Sequence, residues 1–363
     1  MVICVTKKVI RNVVLLITLV SFMLAPLSVH SIGTSLGFLA PQKGMCYITW
    51  NKDSFASHYS DRSLEKLASL GVEYLAICPT HYQQKYNSTE ILRTNRTPSK
   101  KSMKHVIAKS HKLGLEVLLK PHIDLINEDN GTYWRADIGF ASDKDWNKWF
   151  SDYKKLILTY AHLAEQSNVK ILCIGTELSF ASQKTEKWLD IISSIRKIYR
   201  GKLVYAANWD NYKNIKFWQT LDFVGIDAYF PLTYKENPSV NDLKQGWQRW
   251  TSEISAWHSI VNKPILFTEL GYASTSSAPN NPWKSGTSGN ADQEMQAKCY
   301  KAFFDTIWNE PWFAGVYWWK WDTNVKAGGK HNRQFTPQNK PAELIVEAMY
   351  KEYRGNRTYA MIK

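Results

Sequence analysis

The 363-residue chain has few cysteines, and none of the five sits in a close C-x-x-C pair. Cys46, Cys78 and Cys173 lie in apolar, strand-like runs and Cys299 in a helical pattern, so buried free thiols are expected, with a disulfide left open for an exported chain. No Gly-rich fingerprint follows the first strand-like run, which disfavours a dinucleotide fold. HExxH and HxH are missing, so no metal site is expected. Acidic residues are outnumbered, 32 to 46 basic, giving a formal net charge of +14. The basic residues are scattered and match no nucleic-acid motif, so no nucleic-acid partner is expected.

Only one long apolar run occurs, at the N-terminus. Lys7, Lys8 and Arg11 precede Val13–Leu27, and Val29-His30-Ser31 offers small or apolar residues at the −3 and −1 positions of a cleavage site. This is the plan of a secretory signal peptide over residues 1–31. A secreted or periplasmic, monomeric protein is expected, without stable membrane insertion after cleavage. An uncleaved segment would leave it membrane-anchored. Residues 32–363 then form one domain.

What the chain does have is eight strand-like runs: Gly44–Trp50, Val72–Cys78, Leu115–Lys120, Val169–Gly175, Lys202–Ala207, Phe223–Ala228, Pro264–Thr268 and Ala314–Trp319. Helical patterns separate most of them. Asp143–Gln166 carries Trp146, Phe150, Tyr153, Ile157, Tyr160 and Ala164 on one stripe, with Ser142 as N-cap. Only a short helix, Asn214–Thr220, is expected after the fifth run. Eight such repeats predict an α/β fold, a single-domain (β/α)8 TIM barrel. The polar stretch Ser274–Asn290 reads as a long loop at the active face.

Catalytic groups of such barrels sit at the C-terminal ends of the strands. The fourth run ends in Gly175-Thr176-Glu177 and the seventh in Thr268-Glu269. Glu177 and Glu269 therefore face each other across the barrel mouth. Two carboxylates flanking one bond suit glycoside hydrolysis; in a retaining enzyme they stand about 5–5.5 Å apart. Other strand ends are polar or aromatic and are candidates to bind a sugar: Lys120, His122, Asn208, Asp227, Tyr229, Trp319 and Trp321. Trp319 and Trp321 share one face by strand alternation. The chain has 16 tryptophans, and Trp134 and Trp283 fall in loops where a flat apolar ring could carry a sugar. His122 with Asp124 is too small a set for a metal.

The runs Leu119-Lys-Pro-His-Ile-Asp124, Ile174-Gly-Thr-Glu-Leu178, Tyr205-Ala-Ala-Asn208, Val224-Gly-Ile-Asp-Ala-Tyr-Phe-Pro231, Phe267-Thr-Glu-Leu-Gly-Tyr272 and Gly315-Val-Tyr-Trp-Trp319 resemble glycoside hydrolase family 113. The resemblance covers essentially all of the chain after residue 31. It implies a retaining, endo-acting β-1,4-mannanase, with Glu177 as acid/base, Glu269 as nucleophile, mannan or manno-oligosaccharide as substrate and no cofactor. Most members of the wider clan have Asn immediately before the acid/base, contacting the 2-hydroxyl. Here that residue is Thr176, and Asn208 is a candidate to replace it. The alternatives are the same mechanism on β-glucan or xylan, or an inactive carbohydrate-binding barrel.

Overall fold

The computed structural model describes residues 40–286 and 289–352. The expected signal peptide lies outside the described residues. The elements run β1 (Gln42–Ile48), α1 (His58–Ser69), β2 (Tyr74–Cys78), β3 (Thr80–Gln83), α2 (Lys100–Lys112), β4 (Glu116–Leu119), β5 (His122–Leu125), α3 (Asp143–Gln166) and β6 (Ile171–Thr176). They continue with α4 (Ser179–Ser182), α5 (Thr185–Arg196), β7 (Lys202–Asn208), β8 (Phe223–Asp227), α6 (Val240–Val261), β9 (Ile265–Leu270), α7 (Gln293–Ile307), β10 (Phe313–Asp322) and α8 (Pro341–Glu352).

Eight strands close a parallel barrel in the order β1, β2, β4, β6, β7, β8, β9, β10, with β10 pairing back onto β1. This is the expected (β/α)8 barrel. Strand alternation divides the apolar residues into two layers. Small side chains such as Cys46, Ala76, Cys173 and Ala206 fill the barrel interior. Large ones, including Trp149, Trp188 and Trp247, pack between barrel and helices. The four described cysteines are buried and unpaired. Much of the tryptophan content is therefore core: Trp149, Trp188, Trp247, Trp308, Trp318 and Trp321 are among the largest fully buried side chains.

Helix starts follow their caps. Ser142 Oγ accepts from the Asp145 amide at 3.1 Å, and Ser239 with Asp242 forms a reciprocal capping box on α6. The helix expected over Asn214–Thr220 is instead two 3-10 turns, Tyr212–Asn214 and Trp218–Thr220. Tyr212, Ile215, Trp218 and Leu221 are buried. Their three-residue spacing is the period of a 3-10 turn rather than of an α-helix.

Two further strands were not apparent in the sequence. β3 and β5 form a separate parallel pair beyond the ends of β2 and β4. Pro79 and Pro121 break each strand in two, because proline cannot donate to the ladder. This pair carries His122 and Asp124 at the mouth end of the barrel.

The pairing of β1 with β10 slips by one residue between Trp318 and Trp321. Alternation fails there. Trp318 and Trp321 both enter the outer core layer, whereas Trp319 packs toward the barrel interior. Trp319 and Trp321 thus do not share a face. Trp321 is fully buried and donates to Ser63 Oγ at 2.8 Å. Trp321→Ala is expected to cost about 3–5 kcal/mol of stability, measured by denaturant unfolding. A loss below about 1 kcal/mol, the range of surface substitutions, would contradict that burial.

Candidate active site

Glu177 follows β6 directly. Its backbone is left-handed (φ 53°), a conformation costing a non-glycine residue of order 1–3 kcal/mol. Its neighbours fix that turn. The Glu177 amide donates to the Ala206 carbonyl at 2.8 Å, and the Leu178 amide to the Tyr205 hydroxyl at 3.1 Å. Gly175 fits between Trp188 and Tyr205, where a Cβ would fall 2.7 Å from either ring.

The carboxylate of Glu177 is 5% exposed as a residue and meets Arg135, whose Nη1 donates to Oε2 at 2.7 Å. Arg135 also grips Asp124 through Nη2 and Nε, and its Nε donates to the Ile123 carbonyl at 3.1 Å. Burial pushes the Glu177 pKa up to about 7; Arg135 opposes this and the charge of Glu269 adds to it. A carboxyl held near neutrality can give and take a proton around physiological pH.

Glu269, in β9, is held differently. Its Oε1 forms a short ion pair with Lys120 Nζ, and its Oε2 accepts from the Tyr229 hydroxyl at 2.8 Å. His122 Nε2 stands 3.5 Å from Oε1. Lys120 also contacts both Asp227 oxygens at 3.1 Å, and Thr268 Oγ1 donates to Asp227 Oδ1 at 2.7 Å. Burial disfavours the ammonium, but Asp227 and Glu269 override it and hold the Lys120 pKa well above its ordinary value. Burial, and then repulsion from Glu269, raise Asp227 against the pull of Lys120. Two buried carboxylates thus share one ammonium. Burial and the two neighbouring cations, Lys120 and Arg135, push the His122 pKa well down, so its imidazole is neutral. Its ring stacks on Trp319 with centroids 5.8 Å apart.

Two carboxylates at the ends of β6 and β9, one poised near neutrality and one clamped by a lysine and a tyrosine, form the pair that acid/base–nucleophile chemistry requires. A family model described as Glycoside Hydrolase Family 113 matches residues 46–340. The chain belongs to Glycoside Hydrolase Family 113. Among solved structures, a GH113 β-1,4-mannanase in a complex is 27% identical, covering 86% of this chain and 99% of its own, with a TM-score of 0.78. Another GH113 β-1,4-mannanase structure is 28% identical over 87% and 99%, TM-score 0.77. The GH113 β-mannanase AaManA from Alicyclobacillus acidocaldarius, in complex with ManMIm, is 24% identical over 88% and 98%, TM-score 0.77. No curated protein sequence matches the chain.

The structure of this family 113 chain brings some of the expected sugar-binding residues to the mouth and withdraws others. His122 and Tyr229 are buried at its floor beside Glu269, and Trp319 is half-buried there. Lys120 and Asp227 are fully buried, so they reach a ligand only through Glu269. Trp321 is withdrawn into the outer core. Asn208 is half-buried, its amide donating to Asp210 Oδ1 at 2.7 Å. Thr176 is buried, with its hydroxyl toward the Pro121 carbonyl at 3.5 Å. Trp134 and Trp283 are 38% and 44% exposed. Trp283, carried by the long loop after β9, stacks on Trp209 at 5.7 Å.

Sequence reasoning missed Arg135, whose partners Asp124 and Glu177 lie 11 and 42 residues away in no recognisable spacing. It also missed Phe335, which packs with Tyr229, Trp209 and Trp319. Lys320 was missed too: its ammonium lies 4.2 Å from the Trp50 ring, and burial lowers its pKa to about 8. Among the described residues no cluster of three His, Cys, Asp or Glu side chains could hold a metal.

Arg135 favours the ionised form of Glu177, so its removal raises the Glu177 pKa. In Arg135→Gln the alkaline limb of kcat/KM is expected to move up by about 1–3 pH units, read from a pH–rate profile. An unmoved limb would mean that Arg135 does not set this group.

Proposed function

We propose that the protein is a retaining, endo-acting β-1,4-mannanase working by double displacement. The observation that carries this reading is the asymmetric pair of Glu177 and Glu269. In the first step a Glu269 oxygen attacks the anomeric carbon. The glycosidic bond breaks, and the Glu177 proton goes to the leaving oxygen. In the second, Glu177 takes a proton from water, the water oxygen attacks the same carbon, and Glu269 is released. Tyr229 and Lys120 position the attacking carboxylate. Trp319, backed by His122, offers an apolar face to the reacting sugar.

Likeness to β-1,4-mannanases over nearly their whole length supports mannan as the substrate. The expected signal peptide supports action outside the cytoplasm. The test is a comparison of β-1,4-linked manno-, xylo- and cello-hexaose with the mature protein, products separated by size. The reading expects the manno-hexaose to be cleaved with the highest kcat/KM, at internal bonds. Preference for either other hexaose would discard the mannan assignment and keep the glutamate pair. Binding without products would favour a binding-only barrel.

A further inference from the structure

A cavity of about 410 Å³ opens between the ends of β3 and β5 and the loop after β5. Its volume falls within the roughly 300–1,000 Å³ usual for small-ligand clefts. Its walls include Tyr82, Arg96, Asp124, Ile126, Glu128 and Asn130. Asp124 belongs to both places, because it lines this cavity and also holds Arg135, which contacts Glu177.

We infer that this cavity is a further sugar subsite, taking a neutral pyranose unit of the same glycan away from the bond that is cut. The inference rests on the glycosidase reading above. The chemistry of the walls selects the ligand class. Arg96 supplies donors, Asp124 and Glu128 supply acceptors, and Asn130 supplies both. An anion would meet two carboxylates and a cation would meet a guanidinium. A ring of hydroxyls, each able to give and accept, satisfies both kinds of wall. Ile126, 48% exposed, offers the apolar patch that a sugar's C–H face needs.

A second observation is independent of the wall composition. The Tyr82 hydroxyl is buried and has no hydrogen-bond partner. Such a group costs free energy until something bonds it. Arg96 caps the Tyr82 ring, with its guanidinium 5.0 Å from the centroid, so the ring is held at the cavity wall.

The test uses the full mature protein with Tyr82→Phe and Arg96→Gln. The readout is the ratio of kcat/KM for β-1,4-manno-hexaose over manno-triose, with xylo- and cello- pairs alongside. In each variant the ratio is expected to fall about tenfold, the cost of one or two hydrogen bonds to a buried ligand. Tyr82→Phe removes a hydroxyl that makes no hydrogen bond of normal geometry in the protein, so its thermal unfolding is expected close to the wild-type temperature. A merely structural role for Tyr82 would lower that temperature and leave the ratio unmoved. Turnover with an unchanged ratio in both variants overturns the subsite and leaves the mannanase reading standing. Failure of the wild type on every oligosaccharide overturns both.

Discussion

Glu269→Ala is expected to lower kcat on manno-hexaose by about 10⁴-fold or more, as loss of a nucleophile does when no other group replaces it. Folding is expected to survive, because Lys120 keeps Asp227 as a partner at 3.1 Å. The residual reaction carries a signature. Removing the carboxylate leaves space for a small external nucleophile on the face where Glu269 stood. Added azide is therefore expected to restore part of the turnover and to give an α-mannosyl azide, since attack from that face inverts the centre. Turnover within tenfold of wild type, from a folded variant, would remove Glu269 from the reaction.

Lys120→Met is the second large effect, on stability as well as rate. The substitution keeps the stem and removes the one ammonium shared by two buried carboxylates. Breaking a buried pair this way costs about 3–5 kcal/mol. The remaining Asp227 carboxylate eases that cost by taking up a proton. Asp227 already lies well above the usual carboxylate range through burial and Glu269, and loss of Lys120 moves it further up. A carboxyl whose folded pKa exceeds its unfolded value is more protonated in the folded state. Its contribution is fully present below the unfolded pKa and is lost as pH rises through the folded one. Lys120→Met is therefore expected to be more destabilised at pH 8 than at pH 5, by chemical denaturation at both. Equal losses would contradict a shared ammonium. Activity is expected to fall at least a hundredfold, as misplacement of a reacting group by about 1 Å does.

The burial of Lys120 and Asp227 also shows where sequence reasoning reaches its end. The eight barrel strands were legible because each is a short apolar run between helical patterns. Glu177 and Glu269 were legible because each interrupts such a run at its C-terminal end. Which polar residue at a strand end faces the mouth and which turns beneath it was not legible. Lys120 and Asp227 look like ligand contacts from their positions, yet the structure places both under Glu269. Trp321 looked like a sugar-binding residue sharing a face with Trp319, and a one-residue slip in the pairing of β10 with β1 turned it into core. Arg135 comes from a 3-10 turn with no strand to anchor it in sequence, and only the closed barrel brings it to Glu177.

The central claim, that Glu269 attacks and Glu177 protonates in a retaining double displacement, is tested most directly by the anomeric configuration of the first product. Manno-hexaose is mixed with the protein and followed by proton NMR within the first minutes, before mutarotation. The account predicts that the new reducing end appears as the β-anomer and relaxes later to the equilibrium mixture. Initial appearance of the α-anomer would mean a single displacement by water, and would contradict the assignment of Glu269 as nucleophile.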